Sequence, residues 1–259
     1  MGASTAMIRL IVADLDDTLL RSDKTISAYT IEVLQKCRAR GIKIVFATAR
    51  SLRAASRIRA QFEPDVFAGY GGALVTAGTE IIHRSDIPAD VSARLIKDCL
   101  AAPKIAYILA INEAVALSNM KEKTIGDTAH YRYADFSRDY GHAYLKITVS
   151  AADPATVEKI AAHYPMCDML RYRGEDLYRF ANRDAVKWNA VKAIAAHYGI
   201  GTDEIAAFGD ANIDVEMLAN CGAGVAVANA AEEVKAAAGY TCGSNEEDGV
   251  ARWLEENVL

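Results

Sequence analysis

The acids of this chain cluster where strands should end. Leu10 to Ala13 is a short apolar run of the kind that makes a buried strand, and it delivers Asp14 and Asp16, followed by a turn-forming Asp17-Thr18 pair. If the strand persists that far, residues i and i+2 project from one side, and both carboxylates face one pocket beyond its carboxyl end. Two acids held together there are costly unless a cation or a reaction uses them. The alternative is that Asp14 ends the strand while Asp17 or Thr18 caps a helix. The pattern returns at Ile205 to Phe208, where a turn at Gly209 leads to Asp210, Asn212 and Asp214. Here too a helix cap at Asp210 is the alternative.

Two further residues stand at element ends. Thr48 closes the run Ile42 to Ala47 just before a helix start, where hydroxyl and helix amides can converge on an anion, although a threonine taken alone there is more often a plain cap. Lys187 opens an amphipathic stretch with Val191, Ile194, Ala195 and Tyr198 on one face and Gly199 as its stop. A lysine opposes the helix dipole at that end unless it serves an anion; taken alone it reads as a surface lysine.

The elements that must position these residues alternate. Strand Leu10 to Ala13, a helix from Ser27 to Arg40 stopped by Gly41, and strand Ile42 to Ala47 predict a right-handed parallel crossover. A helix over Ala54 to Phe62, a strand over Val66 to Tyr70 and a turn at Gly71-Gly72 follow. From about His83 the character changes to a helix at Val91 to Leu100, a hairpin of Ile105 to Ile111 with Ala114 to Ser118, a strand at Ala143 to Val149, a helix at Pro154 to His163 and a strand at Leu177 to Phe180. After Lys187 come a helix at Val215 to Ala219, a strand at Gly222 to Val227, a helix opening at Asn229, a strand at Tyr240 to Ser244 and a helix at Val250 to Leu254. The expectation is an α/β fold, a Rossmann-like parallel sheet with helices on both faces (residues 1–83 and 184–259), carrying an inserted α+β cap domain (84–183). Open α/β sheets place ligands beyond the carboxyl ends of their strands, where Asp14, Asp16, Thr48 and Asp210 all fall. Acids gathered there repel one another, and a hard divalent cation, Mg2+ by preference, relieves this.

These residues resemble the four ordered motifs of the haloacid dehalogenase superfamily of phosphatases, and the insertion resembles the large cap of its Cof-like branch. The resemblance implies that Asp14 attacks phosphorus, Asp16 serves as general acid and base, Thr48 binds the phosphoryl group and Lys187 neutralises charge. It implies Mg2+ ligands from Asp14, the Asp16 backbone carbonyl and Asp210, with Asp214 through water or behind them. It sets Asp17, Ala49, Arg50, Gly71, Gly72 and Asn212 around the substrate, a small phosphomonoester and by first choice a sugar phosphate. The chain departs from the family at Asp17 and Ala49, each usually Gly, at Gly71, usually Asn, and at Ile213, also usually Asn. A phosphomutase or a non-hydrolytic binding protein for a phosphorylated metabolite are the alternatives.

The basic, Tyr-rich stretch Lys121 to Tyr144 suits either a substrate-closing loop or a solvated one, with Lys123, His130, Arg132, Arg171 and Arg173 as weak candidates. At 259 residues, 52% apolar, 24% charged and with net charge -5, the composition is that of a soluble globular protein and gives no reason to expect nucleic acid or a membrane as partner. Five scattered cysteines without a Cys-x-x-Cys pair point to free thiols, a reducing compartment and a cytoplasmic location. Met1 to Met7 reads as a lead rather than a signal peptide, and no apolar run reaches the roughly 18 residues of a membrane span.

Overall fold

The computed structural model describes residues 7–120, 131–172 and 174–259. They fold as two units, one closing at Arg84 and resuming at Val186, the other spanning Ser85–Ala185.

The first unit begins with β1 (Leu10–Ala13), α1 (Ala28–Ala39), β2 (Lys43–Ala47), α2 (Ser56–Arg59), β3 (Val66–Gly69), β4 (Leu74–Ala77) and β5 (Glu80–Arg84). The second unit holds α3 (Ala89–Ala101), β6 (Ile105–Ile111), β7 (Ala116–Ser118), β8 (Arg132–Tyr133), β9 (Lys146–Ala151), α4 (Pro154–Ala161), β10 (Cys167–Arg171) and β11 (Leu177–Asn182). The first resumes with α5 (Lys187–Tyr198), β12 (Ile205–Gly209), α6 (Val215–Asn220), β13 (Ala223–Val227), α7 (Glu232–Ala237), β14 (Tyr240–Cys242) and α8 (Gly249–Asn257).

The first unit is an α/β fold whose sheet runs β14-β13-β12-β1-β2-β3-β4-β5, with helices on both sides. Its first six strands are parallel; β4 and β5 close the edge as an antiparallel hairpin. Every residue of β1 is buried, because the strand lies between β12 and β2 and is covered on both faces. It is also where the strand order reverses, so the chain leaves β1, β2 and β12 around one crevice at their carboxyl ends. Ser27 caps α1 by accepting from the Thr30 amide, and Gly199 ends α5 in the left-handed conformation.

The second unit is a six-stranded sheet, β10-β11-β9-β6-β7-β8, antiparallel except for the β7–β8 pair. Its apolar face, Ile108, Ala110, Ile147, Val149, Tyr178 and Phe180, packs with Val91, Leu95 and Cys99 of α3 and Val157 and Ile160 of α4. Asn112 makes the β6–β7 hairpin, its side-chain oxygen accepting from the Ala114 and Val115 amides.

Some elements differ from expectation. The helix expected over Ala54 to Phe62 is α-helical only at Ser56–Arg59, flanked by i to i+3 turns such as Ser56 to Arg53 and Gln61 to Ile58. The strand expected from Ala143 starts at Lys146, because Tyr144 is drawn into an antiparallel bridge with Ile87 and the Ala143 carbonyl accepts from Asn112. α7 starts at Glu232 rather than Asn229, whose side chain bonds elsewhere. The strands β5, β8 and β10 were not expected. All five cysteines are free. Among the described residues no helix is long and apolar enough to cross a membrane.

Candidate active site

β1 ends at Ala13, and the Asp14 amide donates to the Phe208 carbonyl at 3.0 Å, stitching the start of the first loop to β12. Residues Leu15–Leu19 form one tight turn, closed by the Leu20 amide on the Leu15 carbonyl at 2.8 Å. Inside it Asp16 is extended and Asp17 sits at φ 57. This break in the backbone separates the two acids that strand periodicity put on one side. Asp14 turns inward and is only 6% exposed, whereas Asp16 meets Arg50, whose Nε and a terminal nitrogen reach its two oxygens at 2.7 and 2.6 Å.

Lys187 is the partner of Asp14. It is 1% exposed at the first turn of α5, and its Nζ donates to Asp14 Oδ1 and Asp214 Oδ1, both at 2.6 Å. Asp214, fully buried, uses its other oxygen to accept from the amides of Asp210 and Ala211 at 3.3 and 3.1 Å. One carboxylate therefore fixes the ammonium and shapes the loop that presents Asp210. Gly209 makes room for it, since a Cβ there would lie 2.5 Å from the Asp214 Cβ. Thr18 Oγ1 donates to Asp210 Oδ1 at 2.8 Å, tying the loops after β1 and β12 together.

Asp14, Asp210 and Asp214 each offer an oxygen within 4.8 Å of the others. Ionised, the three acids and Lys187 leave two negative charges uncompensated. Hard oxygen donors with that excess fit a divalent cation of the Mg2+ type. Without one, burial pushes Asp14 up to about 8, Asp214 and Asp210 adding to the effect and Lys187 opposing it. Burial likewise raises Asp210. Burial would lower Lys187, but Asp14 and Asp214 outweigh it and hold the ammonium charged. Asp16 goes the other way: partial burial works to raise it, and the hydrogen bonds and charge of Arg50, with Lys24, win and keep it ionised.

The loops after β2 and β3 are knitted together. Thr48 is buried; its carbonyl accepts from the Gly71 amide at 2.9 Å and its hydroxyl from the Arg50 amide at 3.1 Å. The Arg50 carbonyl accepts from the Tyr70 amide at 2.9 Å, with half-buried Ala49 between. Gly72, at φ +103, lies against the start of α5: a Cβ there would be 2.4 Å from the Val186 oxygen, so the glycine is what lets this turn approach Lys187.

The model of the haloacid dehalogenase-like hydrolases matches residues 11–254. The chain belongs to that family. Among curated members, it is 29% identical over 264 residues to the Bacillus subtilis 5-amino-6-(5-phospho-D-ribitylamino)uracil phosphatase YitU, covering 95% of this chain and 96% of the relative. It is 24% identical to the HMP-PP phosphatase of Citrobacter koseri, covering 86% and 85%. Among solved structures, a subclass IIB sugar phosphatase of the superfamily, BT4131, shares the fold at a TM-score of 0.81 and 23% identity, over 97% of this chain and 100% of that one. The chain is thus an enzyme of the hydrolase class whose relatives carry phosphatase names.

Of the haloacid dehalogenase-like residues, Asp14, Lys187, Asp210 and Asp214 meet in one network, with Thr18 joining it through Asp210. Asp16 and Arg50 form a second pair, which Lys24 joins at 3.2 Å from Asp16 and 3.5 Å from Asp17. Asn212 is exposed on the loop after Asp210, and Ile213 beside it is 38% exposed. Three contributors were not expected at the site: Thr18, read as a turn or cap residue, Lys24, and Asn229, read as a helix opening, whose side-chain amide donates to the Asp17 carbonyl at 2.7 Å. Thr18 stood within the first motif and was legible there; Asn229, 212 residues away, gave no signal. Arg171 pairs with Asp176 at 3.0 Å and Arg132 is exposed; Lys123, His130 and Arg173 lie outside the described residues.

Proposed function

We propose that this protein is a Mg2+-dependent phosphatase of small phosphomonoesters, working through an aspartyl phosphate on Asp14. The observation that carries the reading is Lys187, buried and 2.6 Å from both Asp14 and Asp214, with Asp210 in the same acid trio. A lysine so placed holds a carboxylate ready while offsetting the charge of an incoming phosphate. Asp14, the Asp16 backbone carbonyl and Asp210 would hold the cation, with Asp214 behind them. When bound, it supplies further charge neutralisation between the anionic nucleophile and an anionic ester.

The chain's own groups divide the work. Asp14 attacks phosphorus in line and the ester oxygen departs, taking a proton from Asp16. Asp16 then accepts a proton from the water that hydrolyses the acyl phosphate. In the present arrangement Asp16 is ionised and paired with Arg50, which suits the second half of the cycle; donation in the first half requires that pair to loosen. Thr48 and the amides around Asp16 and Asp17 hold the phosphoryl oxygens. Ala49, Arg50, Gly71, Gly72 and Asn212 line the substrate side. The relatives' names give a phospho-ribitylamino uracil, HMP-PP and sugar phosphates as what those phosphatases act on. Sugar phosphates are the first class to try.

The test is phosphate release from a panel of phosphorylated metabolites, with Mg2+ and with a chelator. Release should require the metal, and Asp14→Asn should lower it at least about a thousandfold while the protein stays folded. Activity above a tenth of wild type in that variant would remove Asp14 from the nucleophile's role. Turnover that depends on an added sugar bisphosphate would turn the reading to a mutase.

A further inference from the structure

The second unit holds a cavity that its own side chains do not fill. It opens between α3 and the loop that joins β8 to β9, has a volume of about 390 Å3, and is built wholly from residues of that unit. That is room for a small organic molecule, since ligand pockets run from roughly 300 to 1,000 Å3. None of its residues belongs to the Asp14 network. It lies on the helix-bearing side of the sheet, because Ile96 and Tyr144, which line it, are members of the apolar cluster that α3 shares with the strands.

Two kinds of side chain meet there. The first is aromatic. Phe136 and Tyr140 stand edge to face with ring centroids 5.9 Å apart, and His142 meets the Tyr144 ring in the same way at 6.0 Å. Phe136 is buried although its backbone is at φ 54, a conformation that a bulky residue adopts only at a cost. Asp135 makes the turn that holds it there, accepting from the amide and the hydroxyl of Ser137. Tyr144 is 2% exposed and fixed by an antiparallel bridge to Ile87, yet its hydroxyl is sealed without a hydrogen-bond partner. The groups whose charge reaches that phenol include Asp139 and Tyr140, both walls of the same cavity. A buried hydroxyl without a partner costs free energy, so this wall is one the chain has not completed by itself.

The second kind is cationic. Arg94, Lys97 and Arg138 line the cavity against a single acid, Asp139, in a chain whose net charge is -5. Arg94 is engaged by Asp90 at 3.1 Å, and Asp139 accepts from the Gly141 amide at 2.7 Å. Lys97 and Arg138 have no ion pair among the described residues. Arg138 lies over the Tyr140 ring, 5.2 Å from its centroid, a contact that steadies the guanidinium and leaves its N–H groups unbonded.

We propose that this cavity binds a small aromatic carboxylate, its flat ring among the side chains of Phe136, Tyr140 and Tyr144 and its carboxylate on Lys97 and Arg138. Flat rings pack against aromatic walls by offset or edge-to-face contact, and a guanidinium takes a carboxylate through two parallel hydrogen bonds. The Tyr144 phenol, pushed up to about 12 by burial, stays protonated and remains a donor for a polar atom of the ligand. The inference rests on the second unit alone and does not need the phosphatase reading.

The experiment uses the full chain as wild type, as the double variant Lys97→Met with Arg138→Met, and as Ala93→Phe, which pushes a ring into the cavity from α3. Calorimetric titration with benzoate, 4-hydroxybenzoate and indole-3-acetate, each beside its amide, reads the charge. Gluconate, an anion without a ring, reads the aromatic walls. At least one of the aromatic acids should bind wild type about tenfold or more tightly than its amide, and about tenfold or more tightly than gluconate. The double variant should bring the ratio of acid to amide to about one. Both of its side chains are exposed, so its ligand-free Tm should stay within about 2 °C of wild type. Ala93→Phe should abolish binding of acid and amide alike; if it does not fold, the double variant decides alone. The proposal is overturned by a wild type that prefers none of the aromatic acids to its amide, or by gluconate binding as tightly as they do. It is equally overturned by an unchanged ratio in the double variant or by binding that survives in folded Ala93→Phe. Absence of phosphate release with aromatic acids still bound sinks the phosphatase reading and leaves this one standing.

Discussion

Lys187 and Arg179 are both buried cations, and they are buried in opposite ways. Lys187 ends in a group of acids supplied by two loops, those after β1 and β12, so its charge is balanced by the fold itself. Arg179 of β11 has no carboxylate in contact among the described residues, and its Nε is sealed without a hydrogen-bond partner. The first arrangement is fixed by the fold before any ligand arrives; the second leaves a buried nitrogen without a hydrogen-bond partner. Catalysis by charge compensation needs groups that do not move when substrate binds.

The comparison breaks most sharply on removal of each cation. Lys187→Met leaves Asp14, Asp210 and Asp214 facing one another and should cost about 3–5 kcal/mol of stability by urea denaturation, along with all activity. Arg179→Met should cost nothing in the same measurement. Equal losses in the two variants would erase the distinction between the two sites.

A smaller effect is expected from Gly72→Ala. A methyl there meets the Val186 oxygen at 2.4 Å from a backbone at φ +103, and should cost about 1–3 kcal/mol while displacing the start of α5. Because Lys187 begins that helix, kcat should fall with stability, whereas Gly199→Ala, at φ +61 with open space around it, should lower stability alone. If both variants keep full kcat, the turn at Gly72 does not set the position of Lys187.

The smallest effect concerns protons. Burial raises Asp14 to about 8 in the absence of a cation, against about 3.9 in an unfolded chain. Between those values the folded protein binds more protons than the unfolded one, so this group's contribution to stability falls as pH rises from about 4 to about 8. A divalent cation bound by the acid trio would take the proton's place. The Tm gain from added MgCl2 should therefore be a few degrees larger at about pH 8 than at about pH 6, and Asp14→Asn should flatten that difference. An equal gain at both values would mean that Asp14 is ionised without metal.

How far the sequence reaches follows from the range of the forces involved. β1 was legible to the residue because four consecutive apolar side chains leave a central strand no other fate. The hairpin at Asn112 was legible because its turn is made by that residue's own side chain. By contrast β5 and β10 are edge strands with mostly exposed, mixed residues, and only their neighbours make them strands. In the site, the positions of Asp14, Thr48, Lys187 and Asp210 at element ends followed from periodicity. The pairing did not. Whether Asp16 joins Asp14 or Arg50 depends on one backbone break at Asp17, a residue outside the usual glycine preference for that conformation. Nothing local announces it.

Thr18 and Asp210 are 192 residues apart in the chain, Asp14 and Lys187 are 173, and Asn245 reaches back 225 residues to cap the Leu20 carbonyl at 2.9 Å. Read along the axis of synthesis, Asp14 leaves the ribosome first and Lys187 follows roughly 10–30 s later at typical elongation rates. Through that interval the nascent protein carries Asp14 with no ammonium to hold it. The network of Asp14, Lys187, Asp210 and Asp214 can therefore form only after most of the chain has emerged, so a chain cut before Asp214 cannot assemble it.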